Sequence, residues 1–177
     1  MKNLTQGSLT HTHNVAVGKD AGKQITTGVQ NTLMGGVGVG DALTTGTGNT
    51  AYGAAALSTE DEADYATAIG YQALTAQNTG TTNSYNTALG YRAGKTVSTG
   101  VNNTLLGSNA GDAITTGSNN IIIGKSAAAS AVDVSNETVI GTTTTTSALV
   151  HGLKQPVTSA NASVAANVAT PNTIYVF

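Results

Sequence analysis

A short motif recurs eight times along the chain, and its spacing limits the folds that the chain can adopt. In its commonest form the motif reads Asn-Thr-Ala/Leu-x-Gly, as at residues 86–90 and 103–107. The gaps between the closing glycines are 17, 18, 17, 20, 17, 17 and 17 residues, and these glycines are Gly18, Gly35, Gly53, Gly70, Gly90, Gly107, Gly124 and Gly141. A helical hairpin repeat needs about 33 residues, so this period instead predicts short strands that stack as rungs.

The arrangement of each unit predicts an all-β chain. We expect a parallel β-solenoid, either a β-roll or a β-helix, of eight rungs of about 17 residues within residues 14–152. Each rung is expected to hold two short strands joined by two tight turns, with glycine at corners that require a positive φ. The longest gap reflects three extra residues after Gly80, so Thr81–Tyr85 is predicted to be an outward loop.

The composition favours an ordered repeat over a disordered chain. There are 22 Gly, one Phe, no Trp and 9% charged residues, but the formal net charge is only −2. Disordered chains usually have a high net charge, whereas here apolar residues recur in fixed register. The near-neutral charge argues against a nucleic-acid partner. Apolar runs are too short for membrane insertion, and Met1-Lys2-Asn3 leads into polar sequence without the pattern of a secretory signal.

Two adjacent apolar residues end most of the predicted strands, as in Leu105-Leu106 and Val139-Ile140. Adjacent strand residues point to opposite faces, so both faces of the sheet are expected to be buried. One face fills the interior of the coil, and we expect the other to form a homotrimer interface. We expect the interface to be formed either by the second apolar residue of each pair or by its immediate predecessor. The second apolar residues are Met34, Ile69, Leu89, Leu106, Ile123 and Ile140. The alternative is a coil without a partner, in which the second apolar residue faces solvent.

The units at residues 86–94 (Asn-Thr-Ala-Leu-Gly-Tyr-Arg-Ala-Gly) and 103–117 resemble the repeats of phage tail-fibre and head-fibre proteins. They are also similar to the left-handed β-roll heads of trimeric autotransporter adhesins, which contain Ala-Ile-Gly followed by Ala-x-Gly. The resemblance extends over residues 14–141 and concerns a class of repeat. Autotransporter heads use shorter units and come with a signal peptide, a coiled-coil stalk and a membrane anchor. None of these is recognised here, so phage fibres are the nearer match.

The resemblance implies a structural component of a virion, a rigid trimeric spacer that serves host attachment. Other virion proteins are the expected partners, through an N-terminal attachment arm (residues 1–13) or a C-terminal tail or cap (residues 153–177). Within that tail, Thr173–Phe177 has high strand propensity and is expected to cap the trimer or attach to a neighbour. A glycan of the host surface is a further expected partner.

Two other functions compete with the virion fibre. One is the head of a bacterial surface adhesin. The other is an ice-binding solenoid, in which threonine pairs such as Thr26-Thr27 and Thr115-Thr116 match an ice lattice. No enzyme is expected, because the chain has no Cys and no Ser in the context of a nucleophile elbow.

His11 and His13 are the candidate metal ligands. On an extended strand, residues i and i+2 point the same way, so three chains would bring six imidazoles to one axis. Such a set suits an octahedral transition metal, Fe or Ni, and trimeric phage fibres that bind axial iron through His-x-His resemble it. The alternative is a pair of exposed histidines in an N-terminal arm.

Two further clusters are candidate sites. The segment Glu60–Asp64 holds four of the nine acidic residues, and we expect a solvated connecting loop, with cation binding or acid–base work as the alternative. Five tyrosines are candidates for a carbohydrate-binding patch: Tyr52, Tyr65, Tyr71, Tyr85 and Tyr91. Packing of these rings against neighbouring rungs is the alternative.

Overall fold

The computed structural model of the protein describes residues 13–62 and 64–145. Within these residues each sequence unit contributes one three-residue strand, and there is no helix. The strands are β1 (Val15–Val17), β2 (Thr32–Met34), β3 (Thr50–Tyr52), β4 (Thr67–Ile69), β5 (Thr87–Leu89), β6 (Thr104–Leu106), β7 (Ile121–Ile123) and β8 (Thr138–Ile140). They form one sheet in chain order, and all neighbours are parallel. The chain is therefore a parallel β-solenoid of about seven turns, which confirms the predicted fold class.

The register of the sheet places equivalent residues of successive units side by side. Thr87 pairs with Thr104, and Leu89 pairs with Leu106. Strands β4 and β5 keep the same register, with Ala68 beside Ala88, although the longest gap of the repeat lies between them. The extra residues are therefore accommodated in the turns and leave the sheet in register.

The rest of each rung consists of turns, which differs from the second strand that the sequence predicted. In the fifth unit Arg92 and Gly94 have positive φ values of 56° and 59°. In the sixth unit Asn109 and Gly111 repeat this pattern, at 54° and 66°. Two left-handed residues separated by one residue cannot belong to an extended strand. The turns still bond from rung to rung, since the N–H of Gly94 donates to the carbonyl of Ala110 at 2.9 Å.

The glycine that ends a strand forms a corner with no room for a side chain, which confirms the predicted positive φ. The φ value is 143° at Gly90 and 134° at Gly107. A Cβ atom on Gly107 would lie 2.6 Å from the carbonyl oxygen of Gly124 in the next rung. Gly35 is the exception: its φ is not positive, and a second glycine, Gly36, follows it in the 18-residue gap of the repeat. At Gly107 both the backbone angle and the spacing of the rungs therefore require glycine.

The core of the solenoid is built from the middle strand residue and two turn positions of each unit. In the sixth unit these are Leu105, Ala110 and Ile114, and all three are fully buried. Other units bury equivalent residues, which include Leu33, Val39, Leu43, Ala51, Ala56, Ala68, Ala73, Ala88, Ala93, Val97, Ile122 and Ala127. Rungs stack about 4.8 Å apart, so the inward side chains of successive rungs are in contact. Alanine and branched residues together fill this narrow interior.

A column of asparagines links the rungs immediately before the strands. Asn86, Asn103 and Asn120 are fully buried. The Oδ1 of Asn86 accepts a hydrogen bond from the backbone N–H of Asn103 at 2.8 Å, and the Nδ2 of Asn103 donates to the carbonyl of Gly117 at 2.9 Å. Each amide therefore satisfies backbone groups that the core would otherwise leave unpaired. The other asparagines of the column are Asn14, Asn31 and Asn49.

Candidate functional site

Each strand presents its first and third residues on the outside of the coil. In β6, Leu105 is fully buried, whereas the adjacent Leu106 is 42% exposed. This alternation follows from strand geometry, because neighbouring side chains point to opposite faces of a sheet. Since the register places equivalent residues side by side, the outward residues form two columns that run along the sheet.

The third residues of the strands form what we call the outward apolar column. Its members are Val17, Met34, Tyr52, Ile69, Leu89, Leu106, Ile123 and Ile140. All six residues predicted for a trimer interface belong to it, and their immediate predecessors lie on the inner face. Val17 and Tyr52 also belong to the column but not to the predicted set, although they share the same position in the unit. The association of chains through this column stays a prediction.

The first residues of the strands form a second column beside the outward apolar column. It consists of Val15, Thr32, Thr50, Thr67, Thr87, Thr104, Ile121 and Thr138. None of the sixteen residues in the two columns is charged. Charged residues lie elsewhere: Lys19 and Asp20, for example, form an ion pair of 2.7 Å in a turn. The hydrogen bond and the opposite charges of this pair lower the pKa of Asp20 and raise the pKa of Lys19. The outward sheet face is thus an uncharged stripe.

Four tyrosines form two stacked pairs at the two ends of β4 and β5. Tyr65 and Tyr85 precede the strands, and their ring centroids are 5.4 Å apart with planes inclined by 8°. Tyr71 and Tyr91 follow the strands, at 5.6 Å and 13°. The guanidinium of Arg92 lies 5.0 Å from the centroid of the Tyr91 ring. The rings therefore pack against the neighbouring rung, while each remains about half exposed. Contact with carbohydrate stays a prediction.

The acidic segment at residues 60–64 is not simply a solvated loop, because Glu60 is fully buried. Glu60 occupies the core position that Leu43 holds in the preceding unit. Its Oε2 accepts hydrogen bonds from the Nε2 of Gln77 and the backbone N–H of Thr79, both at 3.2 Å. The expectation of a solvated loop is therefore wrong for Glu60. Its carboxylate lies inside the coil, where Gln77 of the next rung donates a hydrogen bond to it.

The insertion after the fourth strand is only partly an outward loop. Thr81–Thr82 are exposed as predicted, but Ser84 is fully buried. The Oγ of Ser84 donates to the Oε1 of Gln77 at 3.0 Å and accepts a hydrogen bond from the N–H of Asn86 at 3.1 Å. The preceding unit has Ala66 at the position of the asparagine column, so it offers no side-chain oxygen to this N–H. Ser84 replaces the missing acceptor.

His13 lies at a corner of the first rung. Its φ of 48° is positive, like that of Gln30 and Asn102 at the same position of later units. The assumption that His13 belongs to an extended strand is therefore wrong. His11 lies outside the described residues, so a metal site formed with His13 stays a prediction. Within residues 13–62 and 64–145, no group of three or more His, Asp or Glu side chains is placed to hold a metal ion.

The threonine pairs of the ice-binding alternative lie on turns. The Oγ1 of Thr26 donates to the carbonyl of Thr44 at 3.2 Å, and the Oγ1 of Thr115 donates to the carbonyl of Val132 at the same distance. The first hydroxyl of each pair is therefore engaged with the next rung. The second threonine, such as Thr116, is exposed, and in the first pair Thr26 is exposed as well as Thr27.

The part of the chain that the structure describes has no helix that could cross a membrane. No known family, curated protein or solved structure matches the chain.

Proposed function

We propose that the protein is a structural fibre component of a phage virion, a rigid spacer that assembles as a homotrimer through its outward sheet face. In this arrangement three solenoids lie side by side with parallel axes, and their outward apolar columns meet at a central threefold axis. The resemblance of the units to phage tail-fibre and head-fibre repeats supports the assignment to an extracellular particle.

The outward sheet face is the observation that carries this proposal. It holds sixteen uncharged residues in two continuous columns, and large apolar side chains such as Leu106 and Ile140 are exposed on it. Complete burial of a Leu or Ile side chain is worth about 1.5–3 kcal/mol, and covering the 42% of Leu106 and the 57% of Ile140 that are exposed would contribute about half of this for each. A monomeric protein rarely exposes a continuous apolar stripe of this kind, which usually marks an interface with another protein. Because the columns run along the solenoid, they suit a cyclic assembly whose chains all point the same way.

The contacts between rungs support the role of a spacer. Each strand pairs only with the strands before and after it, and the asparagine column likewise joins adjacent rungs. Such a quasi-one-dimensional array transmits load along its length, and its stability grows with the number of rungs. The stacked tyrosines add side-chain contacts between the fourth and fifth rungs.

The oligomeric state tests the assembly. We expect sedimentation equilibrium at micromolar concentration to give three times the chain mass of 17.5 kDa. A species of 17.5 kDa at that concentration would show that the outward face is not an interface between copies of this chain.

The location tests the virion assignment separately. Antibodies raised against the protein are expected to label fibres of phage particles in electron micrographs. Labelling of bacterial cell surfaces, with unlabelled particles in the same preparation, would support the adhesin-head alternative instead.

A further inference from the structure

The edge of the sheet at β8 is open within the described part of the chain. In β7 the N–H of Ile121 and the carbonyl of Ile123 bond to the following unit, at 2.9 and 2.7 Å. The equivalent groups of β8 are the N–H of Thr138 and the carbonyl of Ile140, and no described strand lies beyond them. An open edge of this kind is a template for one more strand.

The core is also uncovered at this edge. Ile122, the middle residue of β7, is fully buried, whereas its counterpart Val139 in β8 is only half-buried. Ile140 is 57% exposed, more than Leu106 in the interior of the array. A solenoid that exposes its last core layer needs a cap.

A regular ninth rung cannot supply this cap. Continuation of the period by 17 residues places Pro156 at the middle strand position, next to Val139. The N–H of a middle residue faces the preceding rung, and proline has no N–H to donate there. The chain must therefore leave the regular period after β8.

The strand motif nevertheless occurs once more, at Asn172-Thr173-Ile174-Tyr175. The same pattern is found at Asn49-Thr50-Ala51-Tyr52 and Asn103-Thr104-Leu105-Leu106, which form the starts of two rungs. In this late copy Val176 stands where the other copies have the corner glycine. A corner that must let another rung approach needs glycine, whereas a capping strand does not.

We propose that residues 172–175 of the same chain add to β8 as a ninth parallel strand. Thr173 lies beside Thr138, Ile174 covers Val139, and Tyr175 extends the outward apolar column. The connecting residues 141–171 exceed a regular rung in length, so chain length permits this return. The capping strand does not depend on the proposed trimer, because its contacts are made within one chain.

An engineered disulfide tests the pairing. The chain has no cysteine, so in the double variant Thr138→Cys/Thr173→Cys the two introduced thiols are the only ones that can form a disulfide. Adjacent strands lie about 4.8 Å apart, within the Cα separation that a disulfide permits. We expect oxidation to consume both thiols and to leave a single chain on a non-reducing denaturing gel. The control Thr138→Cys/Asn161→Cys, which lacks the motif, is expected to keep its thiols.

The other outcomes of this experiment decide against the proposal. A disulfide between residue 138 of one chain and residue 173 of another, identified by peptide mapping, would show that a second copy, and not the same chain, covers β8. Free thiols in both double variants would show that residues 172–175 do not pair with this edge in the proposed register.

Hydrogen exchange in the full chain provides a second measurement. Ile174→Asp places a charge over the core, so we expect the amide of Thr138 to lose protection by at least about tenfold. Ala160→Asp puts the same charge elsewhere in the tail and is expected to leave that amide unchanged. Equal protection of Thr138 in both variants would overturn the proposal even if the solenoid remains folded.

Discussion

The side-chain oxygen of Asn103 accepts a hydrogen bond from the backbone N–H of Asn120 at 3.0 Å, inside the coil. Strands of three residues make few sheet hydrogen bonds, so a rung needs further links to its neighbours. The asparagine column provides them at a point where the backbone turns into the core. The regular asparagine of the repeat is thus explained by its structural role within one chain.

Replacement of Asn103 by alanine tests this role. The change leaves the N–H of Asn120 and the carbonyl of Gly117 without their buried partners, so we expect a loss of about 2 kcal/mol or more in the free energy of unfolding. Urea unfolding at one fixed protein concentration measures it. Thr116→Ala, on an exposed turn, is the control and is expected to stay within about 0.5 kcal/mol of wild type. Equal effects of the two variants would contradict the role of the column.

A second prediction concerns the interruption of the column at Ala66. Ser84→Ala removes the acceptor of the Asn86 N–H, and we expect it to cost about 1–3 kcal/mol. The double variant Ser84→Ala/Ala66→Asn is expected to recover part of this loss, because an amide at position 66 lies one rung below Asn86. Thermal unfolding of the wild type and of the two variants measures the recovery. A double variant no more stable than Ser84→Ala would show that Ser84 does not stand in for the column.

A set of glycine variants separates backbone angle from crowding. In Gly107→Ala the backbone angle and the steric contact are both unfavourable, since φ is 134° and the new Cβ would lie 2.6 Å from the next rung. At Gly80 φ is 59° but nothing lies within 4 Å, so Gly80→Ala reports the angle alone, at about 1–2 kcal/mol. Gly36→Ala is the matched control, because its φ is not positive and its nearest contact is at 3.5 Å.

We expect the loss of unfolding free energy to be largest for Gly107→Ala, intermediate for Gly80→Ala and smallest for Gly36→Ala. Urea midpoints at equal concentration give this order. A loss at Gly107 no greater than at Gly80 would mean that the rungs can move apart to admit a methyl group.

The trimer interface is tested by Leu106→Asp. If the outward apolar columns meet at a threefold axis, three unpaired carboxylates would be buried together, at a cost of several kcal/mol for each. We expect the variant to sediment as a monomer that keeps its β-sheet circular dichroism, because Leu106 points away from the core of its own chain. Thr116→Asp, on a turn, should remain trimeric. A trimeric Leu106→Asp would place the interface elsewhere.

A final prediction concerns His11 and His13. If they bind Fe or Ni at a threefold axis, elemental analysis of untagged protein should find the metal, and chelator should lower the melting temperature. The variant His11→Ala/His13→Ala should lose both properties. Protein that contains neither metal and melts equally in chelator would leave only the exposed-histidine alternative.

The sequence by itself determined the period, the position of the strand in each unit and the corner glycines. These features are local and repeated: the spacing of Gly90 and Gly107 sets one rung, and the residues before each glycine favour a strand. The same strand motif occurs eight times, and this regularity is why the solenoid could be predicted even without a large apolar core.

Only the tertiary structure decided which residues of the pattern face the interior. Leu105 and Leu106 are equally apolar, and the turns around them determine that the first fills the coil and the second faces outward. Glu60 and Ser84 look like loop residues in the sequence, yet both are buried because Gln77 lies beside them. Their contacts are created by the stacking of rungs, which brings together residues that are far apart in the chain and belong to no shared motif.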